Sequence, residues 1–503
     1  MTLRLKEILR YLVFVLLCAG MISGLSAGAF QAGWAAAPPP PPLTPSDSGL
    51  SVYLPAVVKP APPAPPQYAG TRIVNAPNFG NSFRFSESAI LWFGRISPSE
   101  NYIEVRVGYT TSSLILYLSV FDRLLWFDTT PASADLLNWD AVSLLLDTQN
   151  NAGGAPTASS YRLDTQLASM SANRVDYQAG YRGNGGTWSL ASVPFSTTSG
   201  VRWESGSVGG TNNNQNNRGW VASYNIPFSS LGLNSAPPEG TIWRLGIAVH
   251  DRESQSTPAS DIKTWPEQFN ESQPGSWGQL RFGLPVFTPP VLPEAGSVMV
   301  REGISGQHVQ DAAVGGTTGN LCPSDPNYIW NQWGNVSFGS AEDFNIQNQS
   351  DLADWPCFSK YYVTFPLGQM PSGKTILSAE VTLHLFGGSD PSQADESYIQ
   401  VMEIGEDWNE NSLTWNNAPL AIENIAGSWV QPTSFPGWPG IAYHWDVSLA
   451  VARAYASGKP LRLVMYSADG PIHSGKYFVA SNGGNWSAGE VSRPTLTVHW
   501  GNP

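Results

Sequence analysis

The stretch ENYIEVRVGYTTSSLILYLSV, from Glu100 to Val120, holds two runs that alternate with period two. Ile103, Val105, Val107 and Tyr109 fall on one side, and Glu104 and Arg106 fall on the other. After a Thr/Ser turn, Leu114, Leu116, Leu118 and Val120 repeat the pattern. A period of two marks a strand with one buried face, since a helix would repeat every three to four residues. Val142, Leu144 and Leu146 continue the series, followed by Trp220 to Ile226 and Ile242 to Val249. Stretches rich in Gly, Asn and Ser, such as Gly206 to Asn217, separate the runs as loops. The reading is an antiparallel β-sandwich.

The same alternation returns later at Val363 and Phe365, at Val381, Leu383 and Leu385, and at Ile399 and Val401. One short helix is expected at Val447 to Ala456, with Asp446 as N-cap and Gly458 beyond its end. The expected fold is all-β: two β-sandwich domains, with a short helix in the second. A chain of 503 residues exceeds what one core usually supports, and Gly and Pro are abundant.

Proline marks the boundaries. Residues 38–66 contain twelve prolines and should form an extended spacer. A second linker, with Pro289, Pro290 and Pro293, follows the first block. The expected division is 1–29 signal peptide, 30–67 linker, 68–285 first sandwich, 286–297 linker and 298–503 second sandwich. Little core should cross a proline-rich linker, so each block is expected to melt on its own.

The first residues read as an export signal. Arg4, Lys6 and Arg10 precede the apolar run Tyr11 to Leu17, and Ala27-Gly28-Ala29 offers a small-x-small cleavage site. An uncleaved membrane anchor is the rival reading, but the apolar run is short for a span. Cys18 raises a lipoprotein reading, which Leu17 disfavours because a lipobox wants a small residue there. Cleavage would take the net charge from −13 to −15, since residues 1–29 carry three cations and one anion. That balance disfavours nucleic acid and anionic membranes as partners. The protein is expected to be secreted, extracellular or at the cell surface. There Cys322 and Cys357 would form a disulfide worth about 3–4 kcal/mol.

Familiar catalytic motifs are absent from the sequence: no His-Glu-x-x-His, no Gly-x-Ser-x-Gly and no Walker loop. A glycosidase needs only two well-spaced carboxylates, so a polysaccharide lyase or hydrolase stays open as a weaker reading. No cofactor is expected. Structural calcium stays open at the acidic loops with Asp128 and Asp135, with Asp147 and Asn150, and with Asp390, Asp395 and Glu396. The positive signal is aromatic. Sugars stack their C–H faces on indole rings, and Trp126, Trp139, Trp188, Trp203 and Trp265 lie in or beside expected loops.

The first block resembles carbohydrate-binding module family 9. The stretches that carry the likeness are Ala89-Ile90-Leu91-Trp92-Phe93-Gly94, Trp139-Asp140-Ala141-Val142 leading to Leu146-Asp147, Ile226-Pro227-Phe228-Ser229-Ser230-Leu231-Gly232, and Trp277 to Phe282. The resemblance implies a sandwich that clamps a terminal sugar between two tryptophans, aided by a Glu and an Arg. Arg162 matches that Arg, Trp265 is similar to the second clamp residue, and Trp139 lies about two residues from the first. Ser143 stands where the family has its Glu.

The second block resembles the DNRLRE domain, also classed as carbohydrate-binding module family 96. Its telling stretch runs from Asp407-Trp408-Asn409 through Leu413-Thr414-Trp415-Asn416 to Pro419. The joint expectation is a secreted, non-catalytic polysaccharide-binding protein with Trp139, Arg162, Trp265 and Trp126 at its sugar site. The contrasting expectation is a structural cell-surface or matrix protein assembled from the two sandwiches.

Overall fold

In a computed structural model the described residues are 68–503, without 170–171, 202–209, 268, 319–325, 349–357 and 470–473. The expected signal peptide, the proline-rich spacer, Cys322, Cys357 and Trp203 lie outside them.

Two sheets build the first sandwich. One holds β1 (Ile73–Ala76), β5 (Ala141–Asp147), β6 (Ser160–Gln166), β7 (Gln178–Asn184), β8 (Thr187–Leu190), β11 (Ile242–Asp251), β12 (Asp261–Trp265) and β13 (Gly278–Phe282). Its order is β1-β13-β11-β5-β6-β7-β8, with β12 also on β11. The other holds β2 (Ala89–Ser97), β3 (Glu100–Tyr109), β4 (Ser113–Phe121), β9 (Ser196–Val201) and β10 (Trp220–Pro227), in the order β2-β3-β4-β10-β9. β1 runs parallel to β13, and the other pairings are antiparallel. Ile103, Val105 and Val107 meet Val142, Leu144 and Leu146 in the core between the sheets, as the alternation requires. The Tyr224 hydroxyl donates to the Val142 carbonyl at 2.9 Å and ties one sheet to the other.

The second sandwich repeats the plan. Its outer sheet orders β14 (Glu294–Arg301), β24 (Thr495–Gly501), β18 (Thr375–Gly388), β23 (Lys476–Val479) and β16 (Asp343–Ile346), with β21 (Ile441–Asp446) also on β18. Its inner sheet orders β15 (Gln310–Val314), β17 (Lys360–Phe365), β22 (Leu461–Ser467), β19 (Ser397–Glu403) and β20 (Glu423–Val430). Two helices are present among the described residues, α1 (Pro326–Asn331) and α2 (Ser448–Ala456). The second is the expected one. The Asp446 carboxylate accepts from the Ser448 amide at 2.9 Å, and Gly458 has a positive φ just past the end.

The two sandwiches do not stand apart. Glu104 and Arg106, on the polar side of β3, are only 1% and 0% exposed. The outer face of β2 and β3 packs against the inner sheet of the second sandwich. Trp92 and Tyr102 from one side join Trp415, Tyr466 and Phe358 from the other in a single core. The second sandwich keeps a core of its own between its sheets, from Val300 to Trp500, but the expectation that little core crosses the linker is corrected by the shared cluster. Four β layers are stacked, and the middle two are buried on both faces where β2 and β3 meet β17 and β22.

Polar groups inside this seam are bonded across it. Glu104 accepts from the hydroxyls of Tyr102 at 3.2 Å and Tyr466 at 2.5 Å, and from the Asn348 amide at 2.9 Å. Lys360 reaches the Tyr102 hydroxyl at 2.5 Å, inside a cage of Trp92, Tyr102, Trp415 and Tyr466. Burial pulls its pKa well below the ordinary lysine value. Arg72, from the first sandwich, donates to the Leu420 carbonyl and to Glu406. Asn416 bonds both backbone groups of Ile96. The stretch that carries the family 96 likeness therefore supplies much of the seam.

Candidate functional site

The tryptophans picked out in the first sandwich do not form a slot. Trp265 ends β12 opposite Ile247, and that register turns its ring into the core, where it is 2% exposed. Trp126 is 4% exposed and belongs to the buried interior. Neither can offer a face to a sugar, which corrects their assignment as binding residues. Trp265 lies in a strand and not in a loop, and the Trp126 backbone is tied to Asp140 by two hydrogen bonds.

Trp139 is half-buried, and the Arg252 guanidinium covers its ring at 3.7 Å from the centroid. Arg162 lies on the outer face of β6, but its donors are spent. It pairs with Asp164 at 2.8 Å and with Glu271 at 2.5 Å. Ser143 donates to the same Asp164 at 2.7 Å. The small Ser143 thus completes an internal network in place of a free carboxylate. A glycine at 246 lets the Phe269 ring lie on the sheet, where a Cβ would collide with it. Residues 269–277 close over this face. Trp265→Ala is therefore expected to lower the melting temperature by several degrees and to leave glycan binding unchanged; calorimetry and affinity electrophoresis of the variant check both.

The acidic loops are occupied as well. Asp147 accepts from the amides of Gln149 and Asn151 and from the hydroxyls of Ser159 and Ser160. Asp390 accepts from Ser392 and Gln393, Asp128 from the Thr130 amide, and Asp135 from Asn138. These are turn-closing bonds of the usual Asp kind.

An exposed aromatic surface does exist, on the second sandwich. Strand parity sends Leu385 and Phe478 inward to the core, so Phe386 on β18 and Tyr477 on β23 face outward. A turn closed by the Gly440 amide and the Gly437 carbonyl brings Trp438 over them. The 3₁₀ turn at Asn485–Ser487 adds Trp486. The rings form one connected platform: Phe386 lies 5.4 Å from Trp438, 5.8 Å from Trp486 and 6.3 Å from Tyr477. Trp438 lies 4.9 Å from Trp486 and 5.1 Å from Phe435. Phe435 is 59% and Trp486 39% exposed.

Hydrogen-bonding groups stand beside the rings. Ser389 shares a hydrogen bond with the Tyr477 hydroxyl at 2.9 Å, and the Trp486 indole donates to Glu342. Asn345 sits opposite Tyr477 in register, and its amide donates to Gln347 at 2.8 Å. The Asn345 carbonyl oxygen has no partner in the protein. Gly475 makes room for this cradle, since a Cβ there would lie 2.6 Å from Gln347 Oε1 and Ser389 Oγ. The Asn345 and Gln347 amides are buried beneath the rings, and the partly exposed aromatic faces are what suits the flat C–H patches of a pyranose.

A second concavity, of about 450 Å³, lies along the seam between the sandwiches, with Trp429, Tyr398, Phe79 and Arg84 on its walls. Its polar groups are already engaged: Arg84 with Glu87, Gln400 with the Ser88 carbonyl, Asn424 with Asn75.

Sequence reading missed the platform because its residues are scattered over Phe386, Phe435, Trp438, Tyr477 and Trp486. Trp438 and Trp486, each in a loop rich in Gly, Asn or Pro, were the available signal.

Residues 317–483 match the family model of carbohydrate-binding module family 96. That stretch contains four of the five platform aromatics and stops just short of Trp486. Among solved structures, the chain is similar to a family 9 carbohydrate-binding module from Caldicellulosiruptor kristjanssonii in complex with cellotriose. Identity is 14%, coverage is 44% of this chain and 100% of the other, and the TM-score is 0.29. A glucose complex of a family 9 module from the same organism gives 12% identity, 42% and 98% coverage, and a TM-score of 0.28. No curated protein matches the chain.

Proposed function

We propose that this is a secreted, non-catalytic polysaccharide-binding protein whose sugar-binding surface is the Phe386–Trp438–Trp486 platform. The observation that carries the reading is one connected aromatic cluster at the surface, with Phe435 and Trp486 exposed and Phe386, Trp438 and Tyr477 half-buried. It lies largely within the stretch that matches a carbohydrate-binding family. The crossed rings of Phe435, Trp438 and Trp486 would line sugar units, and Ser389 and Glu342 beside them would take hydroxyls. The acidic chain and the neutral rings favour an uncharged glycan over a polyanionic one.

The first sandwich has a second reading, as a structural support for the second. Its Arg162–Asp164–Glu271–Ser143 network fills the face where the resemblance places a sugar. Secretion and a cell-surface setting rest on the amino-terminal residues and the acidic, motif-poor sequence.

A glycan array on the full chain, followed by affinity electrophoresis on the retained polysaccharide, tests the proposal. Trp438→Ala and Trp486→Ala are each expected to weaken retention at least about tenfold, because truncating an aromatic anchor typically costs about 2 kcal/mol or more. Melting temperatures should stay within about 2 °C of the parent, since both rings are partly exposed. Retention that survives both substitutions would move the site elsewhere. A parent protein that retains no glycan would leave the structural reading.

A further inference from the structure

The first sandwich spends its own cations on its aromatic rings. Arg84 lies over Phe79 at 4.8 Å from the centroid, Arg162 over Tyr181 at 4.5 Å and Arg252 over Trp139 at 3.7 Å. At the seam, Lys360 serves four rings at once. The platform on the second sandwich is different. Among the described residues no arginine or lysine is recorded over any of its five rings.

Charge beside the platform has one sign. The Trp486 indole donates its N–H to the exposed carboxylate of Glu342. A Cβ on Gly484 would lie 3.6 Å from Glu342 Oε1 and 3.5 Å from Trp486 Cδ1, so carboxylate and ring share one small surface. On the other flank Ser389, bonded to the Tyr477 hydroxyl, opens the turn that holds Asp390. The cations of these strands turn away. Lys476 is fully buried and donates to the carbonyls of Asp395 and Ser474. Arg493 donates to the carbonyls of Gly483 and Glu302.

We infer that the platform selects glycans whose units carry a free amino group, with the ammonium taken by the Trp486 face and the Glu342 carboxylate. The inference rests on the platform being the sugar-binding surface, and it narrows the ligand. A protonated amine is drawn to the negative face of an aromatic ring, and to indole most strongly. An indole that donates to a carboxylate is polarised toward a richer ring, which strengthens that pull. The rings also cross: Trp438 meets Trp486 at 72°, Phe386 meets Trp486 at 77°, and Phe435 meets Trp438 at 66°. A pyranose laid on one ring therefore turns its rim toward the next, and an amino sugar bears its nitrogen on that rim. A hydroxyl there gains little from a π face, and an N-acetyl group brings no charge. The net charge of −13 adds a long-range pull on a polycation.

Calorimetry of the full chain with linear oligomers of glucosamine, N-acetylglucosamine and glucose, all of one length, tests this. The buffer is mildly acidic, so the amine is protonated, and holds about 0.15 M salt, which screens attraction beyond about 8 Å. The glucosamine oligomer should bind at least about fivefold more tightly than either of the others. Raising the pH until the sugar amine is neutral should abolish that ratio, and Glu342→Gln should lower it at least about threefold. Equal or weaker binding of the glucosamine oligomer overturns the inference, as does an unchanged ratio in Glu342→Gln. In either case a neutral oligomer that the parent binds and Trp438→Ala loses keeps the platform itself. A glucosamine preference that survives in both Trp438→Ala and Trp486→Ala also overturns the inference, since it then measures only attraction to an acidic chain. An array on which the parent retains no glycan overturns the platform reading and this inference with it.

Discussion

Cleaving the chain between the sandwiches, within residues 284–292, is expected to yield two halves that do not melt cooperatively by themselves. Trp92, Tyr102 and Ile90 on one side would lose Trp415, Tyr466 and Phe358 on the other. Each of these large side chains is worth roughly 1.5–3 kcal/mol when fully buried, while a whole domain is held by only about 5–15 kcal/mol. Glu104, Arg106 and Lys360 would meet water along with the aromatic cage, so each half would bear a large apolar patch prone to association. The uncut chain from residue 68 should unfold in one transition, followed by calorimetry and by tryptophan fluorescence together. Two cooperative halves with the parent's summed enthalpy would mean that the shared core contributes little.

Glu104→Ala is expected to destabilise the folded chain by about 3–5 kcal/mol, the usual cost of removing one partner from a buried charged network. The carboxylate accepts from Tyr102, Tyr466 and Asn348, and Arg106 stands 3.6 Å away. Truncation leaves the two hydroxyls in a dry interior without an acceptor, and leaves the Asn348 amide with only the Ser467 carbonyl. Arg106 keeps the carbonyls of Ala468 and Asp469 but loses its counter-charge. Lys360→Met offers the contrast. Lys360 makes one hydrogen bond, and its amine is already pushed toward the neutral form. A thioether of similar length among four aromatic rings should cost little or even stabilise. Urea melts of the two variants read the difference directly. Equal losses would mean that the seam is held by the amine–aromatic contacts and not by Glu104.

The all-β class was legible in the sequence, and so were the alternating runs that became β3, β4, β5, β10, β11, β17, β18 and β19. Alternation needs only one buried face, and Ile103 to Val120 displayed it plainly. The short helix after Asp446 was legible for the same local reason, since an acceptor side chain ahead of a helix and a glycine behind it act over a few residues. What the sequence could not carry was the second use of a strand face. Glu104 and Arg106 read as solvent-facing because charged residues usually are, and only the neighbouring sandwich turns them into interior residues. The sugar site differed for a related reason. Trp265 and Trp126 sit near loops in sequence, but register and chain reversal decide whether an indole points to solvent or to the core. Phe386, Phe435, Trp438, Tyr477 and Trp486 span a hundred residues, and no local pattern joins them. Short-range chemistry determined the strands, the turns and the helix of this protein. Tertiary packing decided which of its polar residues are buried together and which of its aromatics remain in reach of a ligand, because burial and proximity are properties of the assembled layers.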